Sequence, residues 1–167
     1  MTQTDDATTS TESAPDQAED MTWLTEEQQR VWRSYLLGNA LLTELLDADL
    51  RRHGVDLAEY EILVVLSEAA ETHVRMSDLA RAVHQSKSRL THTITRMERT
   101  GLVRRTSCPT DRRGVWAELT DAGHELLRQA APSHVRTVRE NFVEVIRTGD
   151  FAALGRAFAA VAERLED

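Results

Sequence analysis

Apolar positions along the chain recur mostly at helical spacing, with one stretch that alternates like a strand. From Thr22 to His53, Leu24, Val31, Tyr35, Leu36, Leu41, Leu42, Leu45, Leu46 and Leu50 return at threes, fours and sevens, the period of a helix. They are too many for one narrow stripe. A helix apolar on two sides needs two partners, one in its own chain and one beyond it. Gly54 supplies the stop. Asp56 followed by Glu59 reads as a capping box for a helix reaching about Ala70, with Leu57, Tyr60, Leu63 and Leu66 inward.

Ser77 is the next N-cap candidate, opening a short helix from Asp78 to His84 with Leu79 and Val83 buried. After a tight connection, a third helix is predicted from about Ser86 to Thr100. Leu90, Ile94 and Met97 form its inner stripe, and Lys87, Ser88, Arg89, His92, Arg96 and Arg99 its outer face. Gly101 caps it. Two short helices joined tightly, the second basic outward, make a helix-turn-helix. Alternating runs Leu102–Thr106 and Val115–Leu119 then flank a loop, 107–114, with Pro109 and Gly114 near its ends. This predicts a hairpin with a long exposed tip. A second long helical pattern runs from Thr120 to Arg147, which Pro132 is expected to kink or split. Gly149-Asp150 should break it before a last amphipathic helix holding Phe151, Leu154, Phe158, Val161 and Leu165. The predicted fold is mostly α (α+β): a winged helix-turn-helix.

Charge sharpens this picture. The 167 residues carry a net charge of -8, yet residues 75–113 hold ten basic side chains against three acidic ones. A local surplus of seven inside an acidic chain is the footprint expected for a polyanion, with a solvated, internally paired face as the alternative. A basic helix can read base edges in the major groove while a hairpin reaches backbone or minor groove. The partner implied is double-stranded DNA, and a protein-interaction winged helix that never touches nucleic acid is the rival reading.

Other chemistry finds little support. The six histidines fall in no metal spacing, and no Gly-rich phosphate loop or nucleophile elbow is present, so no enzyme, metal or cofactor is expected. One cysteine, Cys108, excludes an internal disulfide framework and fits a reducing compartment. No apolar run approaches the ~18 residues of a membrane span, and the start lacks a signal-peptide layout. A cytoplasmic protein without membrane contact is expected. Residues 1–20 are dominated by Thr, Ser, Asp, Glu and Ala, with no large apolar residue after Met1. They read as a disordered acidic tail, with Met21 an alternative start.

The run SKSRLTHTITRMERTGLVRRTSCPTDRRGVWAELTDAG resembles the recognition helix and wing of the MarR family of bacterial transcription regulators. Its D-x-R, L-T and [DE]-x-G pattern stands here as Asp111-Arg112-Arg113, Leu119-Thr120 and Asp121-Ala122-Gly123, after the MERTGLV junction. The layout covers about 22–167, while only 76–123 carries the distinguishing motifs. The resemblance implies a homodimer, probing pseudo-palindromic DNA and acting as a repressor. It places Ser86, Lys87, Ser88, Arg89, His92 and Arg96 on the groove-facing helix and Arg113 in the minor groove. Arg112 falls on phosphate, and Asp111 orients the wing arginine. Its domains become a tail (1–21), an N-terminal dimerisation helix (22–53), a winged helix-turn-helix (54–120) and C-terminal dimerisation helices (121–167). It also implies a ligand or redox signal. Oxidant-sensing relatives keep a cysteine near the first helix, whereas Cys108 lies in the wing, which favours a small aromatic or anionic effector. Trp23, Trp32, Tyr35, Tyr60 and Trp116 either fill the core or line an effector cavity, with Trp32, Tyr35 and Tyr60 the candidates for ligand contact.

Overall fold

The computed structural model describes the backbone of residues 23–108 and 111–166, and the side chains of these except 111–113 and 166. The tail expected over 1–21 lies outside the described residues. The chain divides into two units, residues 1–35 and 36–167. Helix α1 (Glu26–Arg51) begins in the first and ends in the second. In the first unit Trp23, Leu24, Val31 and Trp32 are all at least half exposed, as are Leu37 and Leu41 on the second unit's part of the helix. Only its last turns, at Asp49 and Leu50, are buried.

Helix α2 (Leu57–Glu68) starts as the spacing predicts. The Asp56 carboxylate accepts from the Glu59 amide at 2.8 Å, and the Glu59 carboxylate accepts from the Asp56 amide at 3.0 Å. Strand β1 (His73–Arg75) and helix α3 (Met76–Ala82) follow. Two expectations are corrected here. The three-residue β1 was not foreseen, because it is too short to show alternation and forms only by pairing with the wing. Nor does Ser77 cap α3: the helix already starts at Met76, the N-cap position is Arg75 without a side-chain cap, and the Ser77 hydroxyl turns to Asp78.

The turn between α3 and α4 (Lys87–Arg99) is closed by the Gln85 amide on the Ala80 carbonyl at 2.9 Å, with His84 at φ 48°. Leu90, Ile94 and Met97 are fully buried, confirming the inner stripe. They pack with Ile62, Leu63 and Leu66 of α2 and Leu79 of α3 in one core. Each such side chain contributes about 1.5–3 kcal/mol by leaving water. At the end of α4, Gly101 takes φ 74°, and the Leu102 amide returns to the Met97 carbonyl at 3.0 Å.

Strands β2 (Val103–Cys108) and β3 (Asp111–Leu119) form the hairpin, and the antiparallel sheet is ordered β1-β3-β2. The strands run further than the two alternating segments imply. Pairing persists to Cys108 opposite Asp111, past a register shift between Ser107 and Cys108, and the Cys108 side chain is buried rather than at an exposed tip. Helix α5 (Asp121–Val138) passes through Pro132 without ending there. Pro132 lies on an exposed face, where solvent can supply the donor its ring lacks. The regular helix instead gives way to a π-turn (Arg139–Val143), and α6 (Thr148–Glu166) already contains Gly149 and Asp150, so these two do not break the chain. Among the described residues, no helix is long and apolar enough to cross a membrane.

The joint between wing and α5 explains the glycine of the [DE]-x-G pattern. The Thr120 hydroxyl accepts from the Gly123 amide at 3.1 Å and lies 2.9 Å from the Leu102 carbonyl, seating the first turn of α5 on the end of α4. A Cβ on Gly123 would collide with the Leu102 carbonyl oxygen and with Leu119 Cδ1. Gly123→Ala should therefore cost about 1–3 kcal/mol of stability, readable as a lower denaturation midpoint. A second expectation concerns His134, whose ring lies 4.6 Å from that of Tyr60 and whose Nδ1 is buried without a hydrogen-bond partner among the described residues. Burial pushes its pKa below the ordinary 6.5, against a smaller opposing pull from Asp49. The unfolded chain then takes up a proton that the folded chain resists, so stability should fall as pH drops through about 6.5. His134→Gln should flatten that fall in denaturant titrations between pH 7 and 5.

Candidate nucleic-acid interface

The buried stripe of α4 determines which side chains it presents. Ser86, Lys87, Ser88, Arg89, His92 and Arg96 are all exposed. Ser86 is the N-cap, its hydroxyl accepting from the Arg89 amide at 3.3 Å and lying 3.3 Å from that of Ser88. The first turn thus offers two basic side chains beside the positive end of a helix dipole, a favourable place for an anion. Thr91 and Thr95 turn their hydroxyls back onto the carbonyls of Lys87 and Thr91, each at 2.8 Å.

The basic surplus of this region is partly spent inside the molecule. Arg81 pairs with Asp78 at 2.5 Å, and Arg104 forks onto Glu118, its cross-strand neighbour, with Nε at 2.8 Å. Arg105 donates from its backbone amide and its Nε to Glu98, both at 2.8 Å, and from Nη2 to Thr95 at 2.6 Å. These bonds hold the Glu98 carboxyl below the usual carboxylate range and lash β2 to α4. Arg96 gives its Nε to Glu59 at 2.7 Å and its Nη2 to Asp56 at 2.5 Å. By contrast Lys87, Arg89 and Arg99 make no salt bridge to the described residues. Among the described residues of this region, the charge available to a partner is therefore concentrated on the outer face of α4.

Of the site residues predicted from the sequence, five lie together on α4 and Ser86 caps it, though Arg96 is tied back to α2. Asp111, Arg112 and Arg113 stand at the start of β3, and their side chains lie outside the described residues. The three aromatic candidates do not share one environment. Trp32 and Tyr35 stack on each other, centroids 5.5 Å apart, both exposed, whereas Tyr60 is buried. Tyr60 does line a cavity of about 490 Å³ in the second unit, with Leu46, Leu57, Val64, Val65 and His134. The sequence reading missed the ring stack of His73 on Trp116, 3.7 Å between centroids. It also missed the hydrogen bond of 3.4 Å from Arg75 to the Cys108 thiol. Both depend on β1, which no sequence signal marked.

Comparison with known proteins agrees with this arrangement. The MarR family profile matches residues 53–114. AbsC, a MarR family regulator from Streptomyces coelicolor, superposes with a TM-score of 0.84 at 48% identity, covering 87% of this chain and 99% of that one. Sco3205 from the same organism, solved in complex with DNA, superposes with a TM-score of 0.86 at 41% identity, covering 89% and 94%. The transcriptional regulator PecS of Dickeya dadantii is 30% identical over 120 residues, 70% of this chain and 72% of its own. The winged fold, the core-seated basic helix and these likenesses together make the chain a member of the MarR family of transcription regulators.

Proposed function

We propose that the chain is a sequence-specific repressor that binds a pseudo-palindromic operator as a homodimer and is released by a small molecule. The observation that carries the reading is the outer face of α4, where Ser86, Lys87, Ser88, Arg89 and His92 are exposed on a helix whose other side is locked in the core. The likeness to Sco3205, which was solved on DNA, supports it. In this reading Lys87 and Arg89 meet phosphate or guanine edges, while Ser86, Ser88 and His92 complete the polar surface. Arg113 enters the minor groove, which A·T sequence narrows and makes more negative, with Asp111 holding its guanidinium and Arg112 left for phosphate.

Dimerisation is proposed on the apolar side chains that each unit leaves in water. Trp23, Val31 and Trp32 are exposed in the first unit, and Leu37, Leu41, Val145, Val161 and Leu165 in the second. Exposure on this scale marks a protein contact rather than a solvated surface. Two copies would present their α4 helices about one DNA turn, ~34 Å, apart to an inverted repeat. For the effector, the cavity lined by Tyr60 and His134 offers an apolar bed for an aromatic or anionic small molecule, and Trp32 and Tyr35 are separate candidates within the first unit.

Selection of bound fragments from the native genome should return an inverted repeat. Light scattering at micromolar concentration should give twice the chain mass, and a monomer would sink the dimer. Arg113→Ala should cost about 1–3 kcal/mol in operator affinity, and Arg112→Ala should act uniformly across sequences and lower the salt slope by about one. Asp111→Ala should weaken binding although it removes a negative charge. Tighter binding would show that repulsion governs and the wing is only a solvated loop. An effector, once found by screening metabolite pools, should raise the melting temperature and lower operator affinity together.

A further inference from the structure

We propose that Arg96 is a positioning residue, which sets the pose of the recognition helix by clamping it to the first turn of α2, and does not bind DNA. This rests on the reading of α4 as the recognition helix. Arg96 follows His92 by one helical turn, and the resemblance places it in the groove-facing set. Its guanidinium, however, forks onto two carboxylates, with Nε 2.7 Å from Glu59 Oε1 and Nη2 2.5 Å from Asp56 Oδ2.

Those carboxylates are not loose surface groups. Each spends one oxygen on the capping box of α2 and the other on Arg96: Asp56 Oδ1 and Glu59 Oε2 close the box, and Asp56 Oδ2 and Glu59 Oε1 take the guanidinium. Glu59 is buried, its side chain only 9% exposed, so withdrawing Arg96 towards a phosphate would strand a buried carboxylate oxygen. The same turn is pinned from α1, where Asp47 Oδ1 accepts from the Leu57 amide at 2.9 Å and Asp47 Oδ2 binds Arg51 at 2.6 Å.

The apolar stripe of α4 cannot do this alone. Leu90, Ile94 and Met97 lie near one line, and a helix resting on one line is free to roll about it. Positions 96 and 98 point about 160° apart on an α-helix. Arg96 ties one flank to α2, while Glu98 and Thr95 tie the other to Arg105 of β2. Roll is thus opposed from both sides, and the direction in which Lys87, Arg89 and His92 point is set by polar joints outside the stripe.

The test uses the full-length protein and four variants: Arg96→Gln, Arg96→Lys, Glu59→Gln and the double Asp56→Asn/Glu59→Gln. The double variant keeps groups that can cap α2 but abolishes both ion pairs, whereas Glu59→Gln alone keeps the pair with Asp56. In the free protein, hydrogen exchange of the 87–99 amides should accelerate in Arg96→Gln and in the double variant, with exchange of the α5 amides unchanged. With the duplex recovered by genomic selection, both should weaken binding about twofold to thirtyfold while the salt slope stays at the wild-type value. Arg96→Lys keeps the charge but not the fork, and should fail to restore affinity. The proposal is overturned if Arg96→Gln lowers the salt slope by about one, Arg96→Lys restores affinity, or the double variant binds as well as wild type or better. If no duplex is bound by the wild type, the reading of α4 fails, while the exchange measurement still decides whether Arg96 positions the helix.

Discussion

A helix of thirteen residues is marginal in water, and α4 carries several threonines that favour it weakly. Its existence depends on seating Leu90, Ile94 and Met97 among Ile62, Leu63, Leu66 and Leu79. That burial is the constraint from which the rest follows. Once these positions are committed to the core, the 100° step of the helix assigns Lys87, Ser88, Arg89 and His92 to the surface. Gly101 then turns the chain directly into the wing, and Thr120 joins the far end of the wing back to Leu102. The end of α4, the base of the wing and the start of α5 are therefore joined directly by hydrogen bonds.

Electrostatics works by subtraction in this molecule. The sequence places ten basic residues between 75 and 113, but Arg81, Arg96, Arg104 and Arg105 are neutralised by Asp78, Asp56, Glu59, Glu118 and Glu98. These pairs are partly exposed, so their worth lies less in stability than in direction. Arg104 and Glu118 brace the hairpin across its strands, and Arg105 with Glu98 fixes the hairpin's base to α4. What remains unpaired to described groups on α4, Lys87, Arg89 and Arg99, is a smaller but better aimed charge. An acidic protein can approach a polyanion when its positive groups are gathered on one rigid face and its negative ones lie elsewhere.

Much of this was legible because it is local. The capping box at Asp56 and Glu59, the inner stripe of α4 and the stop at Gly101 each need only residues three to seven apart, and all stand as the spacing predicts. The failures share the opposite cause. Strand β1 has three residues and exists because Glu118, Ala117 and Trp116 lie opposite it. The start of α3 at Met76 follows from where β1 ends, which left Ser77 inside the helix instead of capping it. Pro132 and Gly149 are breakers by propensity alone, and exposure or position in a first turn lets a helix carry them. The partners of Arg96 lie 37 and 40 residues upstream, so no window along the chain joins them, and a basic residue on a polar face reads as a DNA contact.

The first turn of α2 is consequently the most heavily shared piece of the second unit. Its amides are capped by Asp56, its Leu57 amide is bonded to Asp47 of α1, and its carboxylates receive Arg96 of α4. Leu57 and Tyr60, from the same turn, also line the cavity with Leu46 and His134. A molecule lodged there would press on the helix that aligns α4, without touching α4 itself. A sensor needs only a small change at such a joint, because packed cores shift between discrete arrangements instead of deforming smoothly. Under the proposed function, the energy of binding an effector would be set against two ion pairs and a cap.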